Sequence, residues 1–366
     1  MPNFIQAFKG GQPLPDAVTV FVDGSKVFNG WKDLSVQKNL DSLANSFSMT
    51  VDNKFIDSPK LWPLRPGVSV AINIGDERVM TGFIDTMDIS FSAGNRTLSF
   101  AGRSKNADLV DCSVSGAGEF NNITIDKLAE QLIAPFGLRV FLSVEVGDPF
   151  EKFALKPGET YFTALDRAAR LKGFMWISTR AGNLRLTKRA KARSYSELSQ
   201  DFNLLSASVK YDNSQRFSEY NILGQRPGND SVAGALAATP TGKATDAGIT
   251  RFRPLTIIAE NSIDAGQAAT RAGWEASLRV AKGMQIEVDV QGWRQEDGSL
   301  WGINQLVRLR SSYLGVNSDF LIASVEHTQS NSEGTITKMN LVRPDSFESK
   351  PKFEKKDDLI SQLKAQ

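Results

Sequence analysis

Alternation of apolar and polar residues dominates the first third of the chain and predicts β-strands there. Between residues 68 and 74 every second side chain is aliphatic, the pattern of a strand with one buried face: Val68, Val70, Ile72 and Ile74. Upstream, Asp23-Gly24 lies between two short apolar runs and is typical of a two-residue hairpin turn. Two longer strand patterns flank a turn around Gly94. We therefore predict a first β domain over residues 1–112.

A helical period of apolar residues appears twice in the next segment. The first helix is predicted over residues 124–136, where Thr124 is a suitable N-cap. The second is predicted over residues 159–171 and is closed by Gly173. Two short strand patterns follow the second helix. Residues 113–190 are therefore expected to form a small α+β domain.

Strand patterns return after residue 200 and predict a second β domain over residues 191–345, with a third helix at 264–282. Residues 228–250 interrupt it with Ala, Gly, Thr, Asp and Asn and almost no bulky apolar side chain. Such a segment buries too little surface to offset its ordering entropy, so we expect a mobile loop. Residues 346–366 read as a charged tail that carries at most one short helix.

The two β regions share a sequence pattern at a nearly constant separation. A Trp-bearing loop, a strand, a longer strand, a glycine turn and a strand ending in Arg recur after 238 to 240 positions: Leu61-Trp62 and Leu300-Trp301, Val68 and Val307, Val70 and Leu309, Phe83-Ile84 and Leu321-Ile322, Gly94 and Gly334, Arg103 and Arg343. This recurrence favours one β-barrel unit used twice. The alternative is that any two antiparallel meanders align when the identities are this few.

Composition excludes several functional classes. A chain of 366 residues is expected to form two to four domains. Its 43 basic and 41 acidic residues give a net charge of +2, which argues against a dedicated nucleic-acid binder. The N-terminus lacks the pattern of a signal peptide, and no apolar run approaches the 18 residues of a membrane span. We expect no membrane association and assembly in a cytosol.

One cysteine and one histidine leave little material for a catalytic or metal centre. Cys112 alone excludes an intrachain disulfide, and it has no evident base partner. His327 lies on a predicted strand, where a rim or surface position is expected rather than catalysis. A zinc site or a Ser-His-Asp triad would depend on this one residue.

Three further patterns fall short of the chemistry that they suggest. Residues 237–245, AATPTGKAT, lack the first glycine of a phosphate-binding loop and have Ala244 at the Mg²⁺-binding position. Residues 116–118, GAG, begin like a dinucleotide fingerprint, but Asn121 stands at the third glycine. Three loop acids could be imagined as a glycosidase pair but are expected to be solvated: Glu145, Asp148 and Glu151. We predict no enzyme activity, no cofactor and no metal.

One segment carries a specific family resemblance. Residues 79–113 read VMTGFIDTMDISFSAGNRTLSFAGRSKNADLVDCS, with the strand motif TGFID followed by GRS and ADLVDCS. This segment closely resembles the baseplate hub proteins of contractile-tailed phages, and those of Mu-like phages best. More distant relatives are the late control protein D group, the T-even hub and the N-terminal half of VgrG spikes. Later features follow the family's order, so the resemblance covers most of residues 1–345.

The resemblance implies a mainly β protein with an α+β insertion that forms a homotrimer. Each chain of such a hub supplies two similar β-barrel tube domains, so that three chains make a pseudo-sixfold ring. The ring would join the hexameric tail tube to the trimeric central spike, beside other baseplate proteins, during assembly and host-envelope penetration. Joining barrel edges around the ring would also pair strands that a lone chain leaves open. The expected location is the tail baseplate of the virion, assembled in the bacterial cytoplasm. No specific nucleic-acid binding is expected, although the channel offers the genome a path.

Differences between this chain and some members of the family limit the functions that the resemblance implies. VgrG continues into an oligonucleotide-fold neck and a β-helical needle, whereas this chain stops soon after Arg343. We therefore expect the spike to be a separate protein. No lysozyme-like segment is recognised, so wall cleavage is not implied. Two alternatives stay open, a tail-associated cell-wall hydrolase component and a type VI secretion spike component.

The family segment contains a candidate structural motif rather than a catalytic one. Its residues are Gly82, Asp85, Gly102, Arg103, Asp108 and Asp111. An arginine that closes a strand beside two acids three positions apart suggests a charge-assisted network that fixes the junction between the first barrel and the next domain. The alternative is an exposed ion pair worth about 0–1 kcal/mol.

Overall fold

The structure is a computed structural model that describes residues 8–9, 12–13, 16–24, 26–28, 31–51, 64–93, 95–115, 118–189, 192–225 and 240–347. Contacts divide the chain into two compact units, one of residues 1–208 and 287–341 and the other of residues 209–286 and 342–366. Trp62, Gly94, residues 228–239 and the tail from residue 348 lie outside the described residues, so the predictions made for them stay predictions.

Strands make up about half of the described chain. In chain order they are β1 Phe8–Lys9, β2 Gln12–Pro13, β3 Val18–Val22, β4 Lys26–Phe28, β5 Trp31–Asn39, β6 Ser46–Val51, β7 Ser69–Ile74, β8 Glu77–Ser92, β9 Asn95–Ser104, β10 Glu119–Ile123, β11 Val140–Leu142, β12 Phe150–Ala154, β13 Met175–Ser178, β14 Leu184–Thr187, β15 Leu198–Ser199, β16 Leu204–Tyr211, β17 Glu219–Gln225, β18 Thr241–Thr245, β19 Pro254–Ser262, β20 Met284–Gln291, β21 Leu306–Ser311, β22 Val316–Ser330 and β23 Gly334–Val342.

Four α-helices complete the described chain: α1 Asp108–Asp111, α2 Ile125–Ile133, α3 Tyr161–Lys172 and α4 Ala265–Lys282. The three longer ones agree with the predicted helices. Helix α3 begins at Thr160, whose hydroxyl accepts a hydrogen bond from the backbone of Thr163, and ends at Gly173 in the left-handed region. Helix α4 begins with a full capping box between Asp264 and Gln267.

The two β regions have the same strand order. In the first, the order is β5-β6-β9-β8-β7, and in the second it is β16-β20-β23-β22, with β21 beside β22. Alternate residues are buried in matching strands, for example in β7 and β21. This shared strand order agrees with the predicted duplication. The two copies differ in what is inserted between the first two strands, since β17, β18, β19 and α4 all lie between β16 and β20.

The copies are joined in one open sheet rather than in two closed barrels. Strand β22 pairs antiparallel with β5, from Ser324 opposite Asn39 to Ser330 opposite Asp33. The joined sheet has 13 strands, and none of the five sheets in the described residues closes on itself. The prediction of two β-barrel domains within one chain is therefore wrong in this respect, since neither copy forms a barrel by itself.

The α+β segment has its own core. Helices α2 and α3 bury their apolar faces against β13 and β14, with a shared cluster that includes Leu128, Ala168 and Leu184. The indole Nε1 of Trp176 donates to the backbone oxygen of Leu165 at 2.9 Å, so even the polar atom of this buried ring is satisfied.

Part of the predicted mobile loop is ordered. Strand β18 pairs antiparallel with β17, which also pairs in parallel with β19. A Cβ at Gly242 of β18 would lie 2.0 Å from the backbone carbon of Ala268 in α4. Close packing against the helix therefore leaves no room for a side chain at position 242. The prediction of a loop is wrong for residues 241–245, because composition alone does not separate a tightly packed strand from a solvated loop.

Candidate functional site

Two glycines of the family segment bring β8 and β9 unusually close. A Cβ at Gly82 would lie 1.9 Å from the backbone oxygen of Arg103, and one at Gly102 would lie 2.0 Å from that of Phe83. The same Gly102 position faces the Phe47 ring at 2.6 Å. These distances leave no room for a side chain, so both positions require glycine. A bulge follows, because the register shifts between Ile84 and Thr86.

Arg103 lies in β9 beside this close approach of the two strands, and its side chain binds two acids. Its Nε donates to Asp85 Oδ2 and its Nη1 lies at the same 2.7 Å from Asp111 Oδ2. Asp85 belongs to the bulge of β8 and Asp111 to α1, so the arginine ties the first β copy to the start of the α+β segment. The hydrogen bonds from Asp85 and Asp111 raise the pKa of Arg103 further above its usual range.

Asp108 does not join this network. Its side chain is exposed and makes no ion pair with any described residue, while its backbone oxygen accepts from Cys112. The predicted participation of Asp108 is therefore wrong, because its position at the start of α1 directs the side chain to solvent. Asp85, in the bulge of β8, supplies the second acid instead.

A second charge cluster was missed by sequence reasoning. Glu77 accepts from Arg180 Nη1 and from Arg294 Nη1, each at 2.8 Å, and Arg294 Nε reaches Asp16 at 3.0 Å. Burial opposes ionisation of Glu77, but the hydrogen bonds from the two arginines outweigh it and lower its pKa. The arginines are 103 and 217 positions from Glu77, so no local pattern could reveal the cluster.

His327 lies beside this cluster at the join between the two copies. Its ring is fully buried, opposite Val36 in the β22–β5 pairing, and meets the Trp293 ring edge to face with 6.2 Å between the ring centroids. Neither ring nitrogen has a hydrogen-bond partner among the described residues. Burial lowers the pKa of His327 to about 3, and the nearby positive charges of Lys38, Arg180 and Arg294 act in the same direction. The expectation of a rim histidine is wrong, since the ring is a neutral core residue.

The candidate catalytic residues do not form a centre. Glu145, Asp148 and Glu151 are exposed, and Cys112 is an exposed thiol. No group of three or more His, Cys, Asp or Glu side chains that could hold a metal occurs in the described part of the chain. None of the helices described there is long and apolar enough to cross a bilayer.

Known proteins of similar sequence decide the family. Successive segments match "Mu phage baseplate assembly protein GpP-like, N-terminal" over residues 17–104, "Baseplate hub protein gp44-like, second domain" over 106–188, and "Mu phage baseplate assembly protein GpP, fourth domain" over 264–350. Baseplate hub protein gp44 of Escherichia phage Mu is 33% identical over 343 residues, which are 91% of this chain and 89% of that protein. The chain belongs to the Mu-type baseplate hub family. The resemblance read from residues 79–113 is thereby confirmed.

Solved structures place this hub protein among phage tail proteins. The 43 kDa tail protein of prophage MuSo2 from Shewanella oneidensis is 30% identical, with a TM-score of 0.80 over 92% of this chain and 100% of that one. The E. coli c3393 protein, a component of the type VI secretion system, has a TM-score of 0.53 at 10% identity over 91% of this chain and 79% of that one. At that identity the likeness concerns the fold alone.

Proposed function

We propose that this hub protein is a homotrimer that joins the hexameric tail tube to the trimeric central spike, in the baseplate of the virion. The single observation that supports this proposal is the shared strand order of the two β copies. Three chains with two like copies each give six similar units, the number that a hexameric tube requires, while the ring stays threefold for a trimeric spike.

The different decoration of the copies supports the same proposal. Only the second copy carries the insertion of β17, β18, β19 and α4 between its first two strands. Neighbouring units of the ring would therefore be alike in their sheets and unlike in their attachments. In such a ring, a partner that contacts the sheets meets near-sixfold symmetry. A partner that contacts the insertions meets threefold symmetry.

A reconstitution experiment tests this function. The purified chain is mixed with the tail tube protein and the central spike protein of the same phage, separately and together, and complexes are isolated by size-exclusion chromatography. We expect each partner to bind alone and both to bind together, since they use different faces. A chain that binds neither partner, or that binds them only in competition, would contradict the proposed role.

We further propose that the chain does not cleave cell wall. The matched families are structural baseplate families, and Glu145, Asp148 and Glu151 are exposed rather than enclosed in a cleft. A turbidity assay on purified peptidoglycan, with lysozyme as the positive control, is expected to show no clearance. Clearance that follows the purified chain would favour the hydrolase alternative.

A further inference from the structure

Strand β22 has two partners along one of its edges. Its first part, Val316 to Leu321, pairs with β21 of its own copy, and its second part, Ser324 to Ser330, pairs with β5 of the other copy. The second copy therefore extends the end of β22 beyond β21 and uses it to bind the first strand of the first copy.

Strand β8 is the counterpart of β22. The part of β8 that corresponds to the β5-binding part of β22 has no described partner on that edge. Its first part, Glu77 to Phe83, pairs with β7 as β22 pairs with β21. Along the outer edge of Thr86 to Ser92, no described strand forms a pair. The counterpart of β5 is β16, which ends the sheet and pairs with β20 alone among the described strands. Among the described strands, each chain thus has one unpaired edge like that of β22 and one like that of β5.

We propose that residues 86–92 of one chain pair antiparallel with β16 of a second copy of this chain, repeating the β22–β5 pairing between molecules. This inference rests on the proposed trimer and names the surface through which it forms. Because the two open edges differ, the contact is head-to-tail, and three such contacts close a ring. Pairing both edges also removes the exposed backbone donors and acceptors that invite aggregation.

The observed β22–β5 pairing fixes the register of the proposed pairing between β8 and β16 of two molecules. Strand β8 precedes β22 by 238 positions, so Ile89 corresponds to His327. The hydrogen bonds from Ser206 to Asp289 and from Asp212 to Gly283 set Val209 opposite Ile286, as Val36 is opposite Phe47 in the first copy. His327 is paired with Val36, and the matching pair between molecules is Ile89 with Val209.

The side chains agree with this register, although they were not used to derive it. On the face that continues the core, Met87 lies opposite Tyr211 and Phe91 opposite Ala207. Ile89 is 65% exposed, Phe91 88% and Tyr211 65%, so a chain by itself leaves large apolar surface on this face. On the other face, the register sets exposed Asp88 directly opposite exposed Lys210. Apolar residues thus meet apolar residues, and an acid meets a base.

Disulfide cross-linking tests this register. Cys112→Ser removes the one native thiol, and Asp88→Cys with Lys210→Cys then places one cysteine on each proposed edge. Mild oxidation is expected to give linked dimers and closed trimers on a non-reducing gel, because residues opposite each other in antiparallel strands have Cα atoms within disulfide reach. The matched control pairs Asp88→Cys with Ser206→Cys, four residues along β16 and about 13 Å away, and is expected to remain unlinked.

Charge exchange gives a second readout that needs no oxidation. Asp88→Lys alone and Lys210→Asp alone are expected to reduce trimer formation, and the double variant to restore it. Asp88 and Lys210 are exposed, so variants that form less trimer are expected to keep the secondary structure of the parent, as measured by circular dichroism. The register would be overturned by a trimer, detected by its mass, in which the cysteines at 88 and 210 form no disulfide or the control pair forms one instead. The proposed hub function would be unaffected by that result. A chain that stays monomeric and unlinked at every concentration would overturn both the register and the proposed trimer, while binding to tube and spike still tests the hub role separately.

Discussion

Replacement of His327 by leucine should make the protein more resistant to acid. The ring is fully buried, and neither nitrogen has a partner among the described residues. The leucine side chain has a similar volume and brings no polar atom into the core. At pH 7 we expect His327→Leu to stabilise the protein by about 1 kcal/mol, because an unsatisfied buried polar group is removed.

The larger effect appears below neutral pH. An unfolded histidine has its ordinary pKa of 6.5, whereas burial lowers the pKa of His327 to about 3 in the folded protein. Between these two values the unfolded chain binds a proton that the folded chain does not, so stability falls as the pH falls. The loss between pH 7 and pH 5 amounts to about 2 kcal/mol. Lys38, whose pKa is lowered to about 8 by burial, is already protonated throughout this window.

Urea denaturation of both proteins at pH 7, 6 and 5 measures this difference. Acidic groups such as Glu77 also lose stabilising contacts on acidification, but they do so in both proteins, so the difference between the proteins isolates His327. The variant should be about 1 kcal/mol more stable at pH 7 and about 3 kcal/mol more stable at pH 5. Parallel pH profiles for the two proteins would refute the argument.

Two further predictions concern the family segment. Gly102→Ala should destabilise the protein by about 2–4 kcal/mol in thermal melts, because its methyl group would lie 2.0 Å from the Phe83 oxygen. The control is Gly273→Ala on helix α4, where a methyl group would have nothing within 4 Å. This control should stabilise the protein by about 0.5–1 kcal/mol. Arg103→Ala should cost about 1 kcal/mol, since its two ion pairs are only half-buried, and Asp108→Ala should have no measurable effect. Equal melting temperatures for both glycine variants, or for Arg103→Ala and the parent, would contradict these assignments.

Features set by neighbouring residues could be predicted from the sequence. The caps at Thr160 and Asp264 and the apolar faces of α3 and α4 located the helices within a few residues. The duplication was visible because buried positions in matching strands keep their spacing, as Val70 and Leu309 do in β7 and β21. The family segment also brought together Asp85, Arg103 and Asp111, although it did not show which acid binds the arginine.

Features set by distant residues could not be predicted. The pairing of β22 with β5 joins residues about 290 positions apart, as the 2.5 Å hydrogen bond from Ser35 to Glu326 shows, and nothing in either strand specifies its partner. The charge cluster around Glu77 depends on that long-range assembly. The ordered strand β18 was mistaken for loop because its small residues reflect contact with α4, which composition does not record.

The mass of the purified chain in solution tests the central claim most directly. One chain has a mass of 40.1 kDa, so a closed ring of three has a mass of about 120 kDa. Native mass spectrometry over a range of protein concentrations is expected to show this trimer without larger open-ended species, because three head-to-tail contacts pair every β8 edge with a β16 edge of the ring. A monomer at every concentration, a dimer, or a ladder of ever longer oligomers would contradict the account.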